Sequence, residues 1–287
     1  EACEREVVRV APPMQGEGKF TLHLSDRQLA RADRVIVACG GRGIDALDAC
    51  GLPCEPLQPM LGPLRCAEAS VTRELDNIRV RCRASLHRQG RKGEQLVRWE
   101  EGELLFRKYG VSGICVFNLS RYAKPGDSLR ICFLADDDMD EALHFLYARR
   151  KLLVGSVGEA MTCADMMRGL LLPRVAEVVL KAAGLAPQNA FAKADVPALA
   201  QALVAFPLTV EGVGDASICQ VRRGGLPVSL FDVRTLEARD VPGLYAAGEA
   251  LDVDAACGGF NLHWAWTSGL LAAYSAVYDL AGGWDGR

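Results

Sequence analysis

The sequence predicts an α/β protein in which a strand-and-helix domain is interrupted by an inserted domain of strands followed by helices. Three observations carry this reading. Residues 34–38, Arg-Val-Ile-Val-Ala, form a short continuous apolar run of the kind that fills a buried parallel strand, and it enters a turn at Cys39-Gly40-Gly41-Arg42-Gly43. Short strand candidates crowd residues 64–135, and the pattern turns helical over 137–206. Near the end, Pro242-Gly243-Leu244-Tyr245-Ala246-Ala247-Gly248-Glu249 reads as a strand closing in glycine and an acid, and Gly258-Gly259-Phe260-Asn261 opens a long helix to about Leu280.

In chain order, residues 5–10 and 20–24 read as two strands joined by a turn at Pro12, Pro13, Gly16 and Gly18. A short helical pattern after Gly43 ends at Gly51, and Pro53, Pro56, Pro59 and Pro63 punctuate a linker. The strands expected next are 64–72, 77–86, 95–100, 103–107, 114–119 and 128–134, with turns at Gln89-Gly90, Gly93, Glu101-Gly102 and Pro125-Gly126; such spacing suits an antiparallel sheet or small barrel. Asp136-Asp137-Asp138 precedes Met139, Leu143, Leu146 and Tyr147 on one helix face and reads as a helix cap rather than a metal site. Pro173 opens a helix that Gly184 closes, a further helix covers 195–205, and residues 207–231 return to β character.

Composition narrows the function. At 287 residues the chain is long enough for two domains. A net charge of −3 gives no electrostatic case for nucleic acid or an anionic membrane. The basic clusters Arg79, Arg81, Arg83 and Arg88, Arg91, Lys92 have acids nearby and read as solvated strand faces and a loop. The eleven cysteines include no Cys-x-x-Cys pair and most sit in apolar runs, as small core residues do, which favours a reducing cytoplasm. No metal site is expected: His23, His87, His144 and His263 are not near paired thiols. No leader or membrane-length apolar run is visible in the sequence.

The chemistry concentrates at the end of the chain. The first N–H groups of a helix lack intrahelical partners and, with the dipole, form an anion site, while glycines let a ligand reach the backbone. A helix opening at Gly259 therefore suits the N1–C2 carbonyl edge of a reduced flavin, which carries negative charge. Glu249 ends a strand at the carboxyl edge of the sheet and could accept hydrogen bonds from ribityl hydroxyls. The same residues also read as a tight loop before a helix and an acid at a helix start.

The stretch from Leu244 to Asp254, followed by Cys257-Gly258-Gly259-Phe260-Asn261-Leu262-His263-Trp264-Ala265-Trp266-Thr267-Ser268-Gly269, resembles the C-terminal signature of a bacterial family of conserved flavoproteins, the NAD(P)/FAD-dependent oxidoreductases of the two-dinucleotide-binding flavoprotein superfamily. Weaker likenesses fall in order at Ala32–Gly41, Phe106–Gly113 and Gln220–Leu226. The resemblance implies a partial FAD-binding Rossmann-like domain from 1–61 and 232–287, and an inserted domain over 62–231 with β parts 62–136 and 207–231 and a helical part 137–206 that would cover the reactive face of the flavin. It implies FAD contacts at Gly248, Glu249, Asp252, Gly258, Gly259, Phe260, Asn261 and Leu262, with Gly40 and Gly41 near the pyrophosphate or ribityl chain. It further implies an oxidoreductase that passes hydride through flavin to a small molecule, with NAD(P)H as a possible donor; the cytoplasmic location and the exclusion of nucleic acid and membrane as partners come from the composition.

Several departures accompany the resemblance. Family members open with a strand, a Gly-x-Gly-x-x-Gly turn and a helix for the ADP moiety; this chain begins at Glu1 in what already reads as a strand, so an N-terminally truncated chain lacking that βαβ unit is expected. Arg107-Lys108 replaces a Thr-His pair, Ile114 a proline, and Arg222-Arg223 small residues. Gly41-Arg42-Gly43-Ile44-Asp45-Ala46 imitates a dinucleotide turn, but a proline-rich linker follows it and position 61 is Leu. No catalytic acid or base is singled out: His263 reads as a capping or packing residue, one of Trp264 and Trp266 faces core, and Cys257 lacks a partner cysteine. The alternative reading is a non-catalytic fragment, a binding or dimerising module that does not hold FAD by itself.

Overall fold

The computed structural model describes residues 4–14, 18–134, 138–158 and 160–281, together with the backbone but not the side chain of residue 157. Gly16 of the expected first turn and Asp136 and Asp137 of the acidic triplet lie outside the described residues. Two compact units form: Glu1–Met60 with Gln220–Arg287, and Leu61–Cys219.

In the first unit Val7–Ala11, Phe20–Leu24 and Leu29–Ala32 make an antiparallel meander, the third strand being additional to the expected pair. Val35–Val37 pairs in parallel with Leu244–Ala246, Val37 standing opposite Ala246. Both segments are short and apolar, and β-branched Val35, Ile36 and Val37 suit a pleated surface. Leu244, Tyr245 and Ala246 are buried with Phe20, Leu226, Phe231 and Leu251 in a common core. Because the strands are parallel and in register, their carboxyl ends, Ala38–Gly41 and Ala247–Glu249, emerge on one edge; a β-carbon added to Gly41 would stand 3.6 Å from the Glu249 carbonyl oxygen.

The expected proline linker is instead a strand, Glu55–Met60, antiparallel to Val221–Gly225. Its prolines stand at Pro56 and Pro59 in a two-stranded ribbon, whose free side needs no N–H donors, as prolines in strands require. This pairing places residues 220–231 with the first unit, not with the inserted one as the sequence led us to expect. The unit closes with the helix Phe260–Leu280, about 30 Å long at 1.5 Å per residue.

The second unit is built on a closed six-stranded barrel, Leu64–Cys66, Arg79–Gly90, Gly93–Arg107, Gly110–Ser112, Ser128–Cys132 and Phe206–Val213, with its helices packed into one core. Closure removes the free edges that short antiparallel strands otherwise expose. Three strand expectations need correction here. Residues 64–72 divide into the strand Leu64–Cys66 and a helix, Ala69–Glu74. The expected Glu101-Gly102 turn lies inside one long strand, Gly93–Arg107, where Gly102 pairs with Cys82. Residues 114–119 are helical, within Ile114–Ser120. Gly113 enters that helix at φ +106°, and a β-carbon there would lie 2.3 Å from the Glu103 carbonyl oxygen, so only glycine passes this close to the neighbouring strand. Cys115, Val116 and Leu119 then face the core at helical spacing.

The helices follow the sequence reading more closely. Met139–Val157 is capped by Asp138, whose carboxylate accepts from the N–H groups of Asp140 and Glu141. Pro173–Ala182 opens on its proline, and Val196–Val204 fills most of the expected third helix. A short helix, Cys163–Met167, was not expected; Thr162 and Asp165 close a capping box on it.

Candidate functional site

The first unit fastens its glycine-acid turn to its closing helix. Gly248, at φ +62°, donates its N–H to Ser268 Oγ at 2.8 Å, and Trp264 Nε1 donates to the Gly248 carbonyl at 3.1 Å. The fully buried Ser268 hydroxyl donates in turn to the Trp264 carbonyl. The end of the parallel strand is thereby held over the first three turns of the helix. The helix itself starts without a side-chain cap: Gly259 occupies the cap position at φ +89°, and a β-carbon there would meet nothing within 4 Å. His263 N–H makes the first bond back, to the Gly259 carbonyl, so the preceding N–H groups face outward from the end of a 21-residue helix.

These elements enclose a cavity of about 530 Å³. Among the residues expected at a cofactor site, Gly40, Gly248, Glu249, Gly258, Gly259, Asn261 and Leu262 line it. Gly41, Asp252 and Phe260 do not. A β-carbon added to Gly41 would instead stand 3.4 Å from the Leu57 side chain. Asp252 Oδ1 accepts from Gly224 N–H at 2.7 Å, tying its loop to the strand Val221–Gly225. Phe260 is largely exposed. Glu249 is also partly engaged, Oε1 accepting from Arg222 N–H at 3.2 Å. Asn261 clamps the loop before the helix, accepting from Ala255 N–H at 2.8 Å and donating to its carbonyl at 3.0 Å.

Sequence reasoning missed Gln220, Val221, Trp264, Ala265 and Gly269 on the cavity wall. Trp264, Ala265 and Gly269 are spaced for one helix face beginning near Gly259, a signal present in the sequence; Gln220 and Val221 arrive through the non-local pairing with Glu55–Met60. Cys257 lines the cavity with its Sγ 3.5 Å from Gln220 Oε1. His263 is exposed and off the wall; Trp264 is the half-buried member of its pair and Trp266 is exposed. Burial pushes the Cys39 thiol up, against backbone hydrogen bonds that lower it, so at neutral pH it stays protonated.

The turn at Gly41-Arg42-Gly43 leads into a 3-10 helix, Ile44–Cys50, and then into the antiparallel strand Glu55–Met60. A dinucleotide turn needs a helix and a parallel strand after it, so this segment is not one. Among the described residues no group of three or more His, Cys, Asp or Glu is placed to hold a metal ion. No helix of the described residues is long and apolar enough to cross a membrane.

Parallel strand ends, glycines with open space before their backbone and an uncapped helix start fit the flavin and ribityl end of FAD. The open positions are Gly40 and Gly259, where an added β-carbon would touch nothing within 4 Å. The fold and this edge define a Rossmann-like, dinucleotide-binding flavoprotein class. The chain belongs to the family of the HI0933-like protein Rossmann domain, whose model matches residues 3–275. Among its relatives is the 3-dehydro-bile acid delta(4,6)-reductase of Clostridium scindens, 29% identical over 275 residues that cover 88% of this chain and 64% of that protein. Ribosomal RNA dihydrouridine synthases are also similar: that of Escherichia coli is 30% identical over 62% of this chain and 42% of its own length, and that of Haemophilus influenzae 29% identical over 60% and 42%. The chain thus spans less than two thirds of the curated relatives it matches. At the level of the family, the match is to a Rossmann domain, the kind of fold that binds a dinucleotide.

Proposed function

We propose that this chain forms the flavin-holding end of an FAD-dependent reductase that removes a C=C bond conjugated to a carbonyl in a small molecule, with NAD(P)H as electron donor in the cytoplasm. The observation that carries it is the meeting, around one cavity, of Gly40, the Gly248-Glu249 turn and the uncapped helix start at Gly259. The names of both kinds of relative support the reaction class, since a delta(4,6)-reductase and a dihydrouridine synthase each remove a double bond. The chain's net charge of −3 favours the small molecule over RNA.

FAD, when bound, supplies the hydride. Helix N–H groups at Phe260–Leu262 would stabilise negative charge on its ring edge, and Glu249, held by Arg222 N–H, would orient ribityl hydroxyls. Trp264, Ala265 and Leu262 would exclude water from one side of the cavity. No Gly-x-Gly-x-x-Gly sequence occurs in residues 1–287, and these residues would hold the flavin and ribityl end of FAD rather than its ADP half.

The test is a fluorescence titration of the chain with riboflavin, FMN and FAD. Saturable binding of all three with similar affinity is the expected result, because this chain holds the end they share. Failure of a folded sample to bind any of them favours the alternative, a binding or dimerising module that does not hold flavin.

A further inference from the structure

We propose that the 61–219 unit carries a second binding site, for a small amphipathic anion with an alkyl or fused-ring body and one carboxylate. The site is a cavity of about 770 Å³ between the barrel strand Arg79–Gly90 and the helix Pro173–Ala182, and it is independent of the flavin reading. Its volume falls within the range of small-molecule sites, about 300–1,000 Å³, which are typically apolar with a few polar groups.

The floor is hydrocarbon. Val80, Phe133, Met167, Val175 and Leu180 line it, and all five are buried. The mouth is cationic: Arg79, Arg81 and Arg168 line it against a single acid, Glu177. Arg79 reaches Glu103 at 3.2 Å and Arg168 reaches Asp165 at 2.8 Å, pairs whose arginines are 66% and 80% exposed. Exposed pairs of this kind contribute little and exchange readily for a ligand. Arg81 stands across the hairpin from Glu103, the carboxylate that Arg79 takes, and its side chain has no hydrogen bond or ion pair among the described residues.

One side of the cavity is braced by hydrogen bonds. Arg149 donates to the carbonyls of Met166 and Arg168, fixing the turn that follows the helix Cys163–Met167. Leu170, Leu171 and Leu172 continue from that turn along the lining, with Leu172 54% exposed. An apolar floor selects an apolar body, and a guanidinium matches a carboxylate with two parallel hydrogen bonds. A cation meets three arginines at the mouth, and a neutral chain gains only the floor.

The experiment is calorimetric titration of the chain with decanoate below its micellar range, beside decan-1-ol and decyltrimethylammonium. Decanoate is expected to saturate one site, with the alcohol and the cation weaker by about tenfold or more. Arg81→Glu is expected to weaken decanoate by about tenfold and leave decan-1-ol unchanged. Ala164→Trp, at an exposed lining position, is expected to abolish binding of both by filling the cavity. The comparison of ligands on the unaltered chain stands even if either variant misfolds. Absence of saturable decanoate binding, equal affinity for the alcohol, or indifference to both substitutions would overturn the proposal.

Discussion

Replacing Gly259 by Asp puts a carboxylate at the mouth of the closing helix without crowding it, because a β-carbon there meets nothing within 4 Å. Holding a non-glycine residue at φ +89° costs about 1–2 kcal/mol, and an acid at a helix start recovers about 0.3–1 kcal/mol, so the protein stays folded. The effect on a bound anion is larger. Two like charges ~4 Å apart repel by about 1 kcal/mol in water and about 4 kcal/mol at an effective dielectric of ~20. A half-open cavity lies between these limits, which corresponds to an affinity loss between about fivefold and about a thousandfold. The assay is titration with oxidised and dithionite-reduced FMN of the parent chain, Gly259→Ala and Gly259→Asp. The alanine variant shares the backbone strain and lacks the charge. The aspartate variant is expected to lose more affinity than alanine, and most for the reduced, anionic flavin. Equal affinity of the two variants for reduced FMN would refute the claim that this helix start faces the flavin's negative edge.

Other outcomes follow from the same structure. Ser268→Ala leaves the Gly248 N–H buried without its acceptor, so urea unfolding should show a loss of about 1–3 kcal/mol, together with weaker flavin binding. Gly113→Ala drives a β-carbon against the Glu103 carbonyl oxygen; a loss above about 2 kcal/mol in the same assay is expected, whereas Gly126→Ala, with nothing within 4 Å, should cost less. Asp127 is buried; burial alone would raise its carboxyl, but hydrogen bonds from Arg88 at 2.7 Å and from Lys124 N–H hold it below the ordinary carboxylate value. Its stabilisation is therefore complete above the unfolded value near pH 4 and lost as pH falls through the lower folded value. Asp127→Asn should cost about 1.5–3 kcal/mol at pH 7 and flatten that acid limb in pH-dependent melts.

The strand-turn-helix of residues 244–261 was legible because its signals are local: an apolar run, a Gly-acid pair, and two glycines before a long helical pattern. An antiparallel sheet or small barrel was legible from strand spacing, with closure supplied by the structure, and the helix starts at Asp138 and Pro173 were legible from residue type. What was missed depends on partners distant in sequence. Ile114–Ser120 is too short and too uniformly apolar for periodicity to separate helix from strand, and the close pass of Gly113 over Glu103 decides it. Glu55–Met60 is hidden by its prolines until Val221–Gly225 pairs with it. The same pairing moves Gln220 and Val221 to the cavity wall and turns Asp252 to a backbone N–H instead of toward the cavity. Glu249 was expected at the cofactor from its place at the strand end and Asn261 from the family resemblance; geometry adds that each holds a loop in place.

The central claim is that the carboxyl edge of the parallel strands and the start of the helix Phe260–Leu280 receive a flavin. Amide chemical-shift mapping of the isotope-labelled chain on addition of FMN tests it most directly. The largest shifts are expected on Gly40, Gly248, Glu249 and the amides of Gly258–Leu262. Saturable FMN binding whose shifts fall elsewhere and spare the Gly258–Leu262 amides would contradict it.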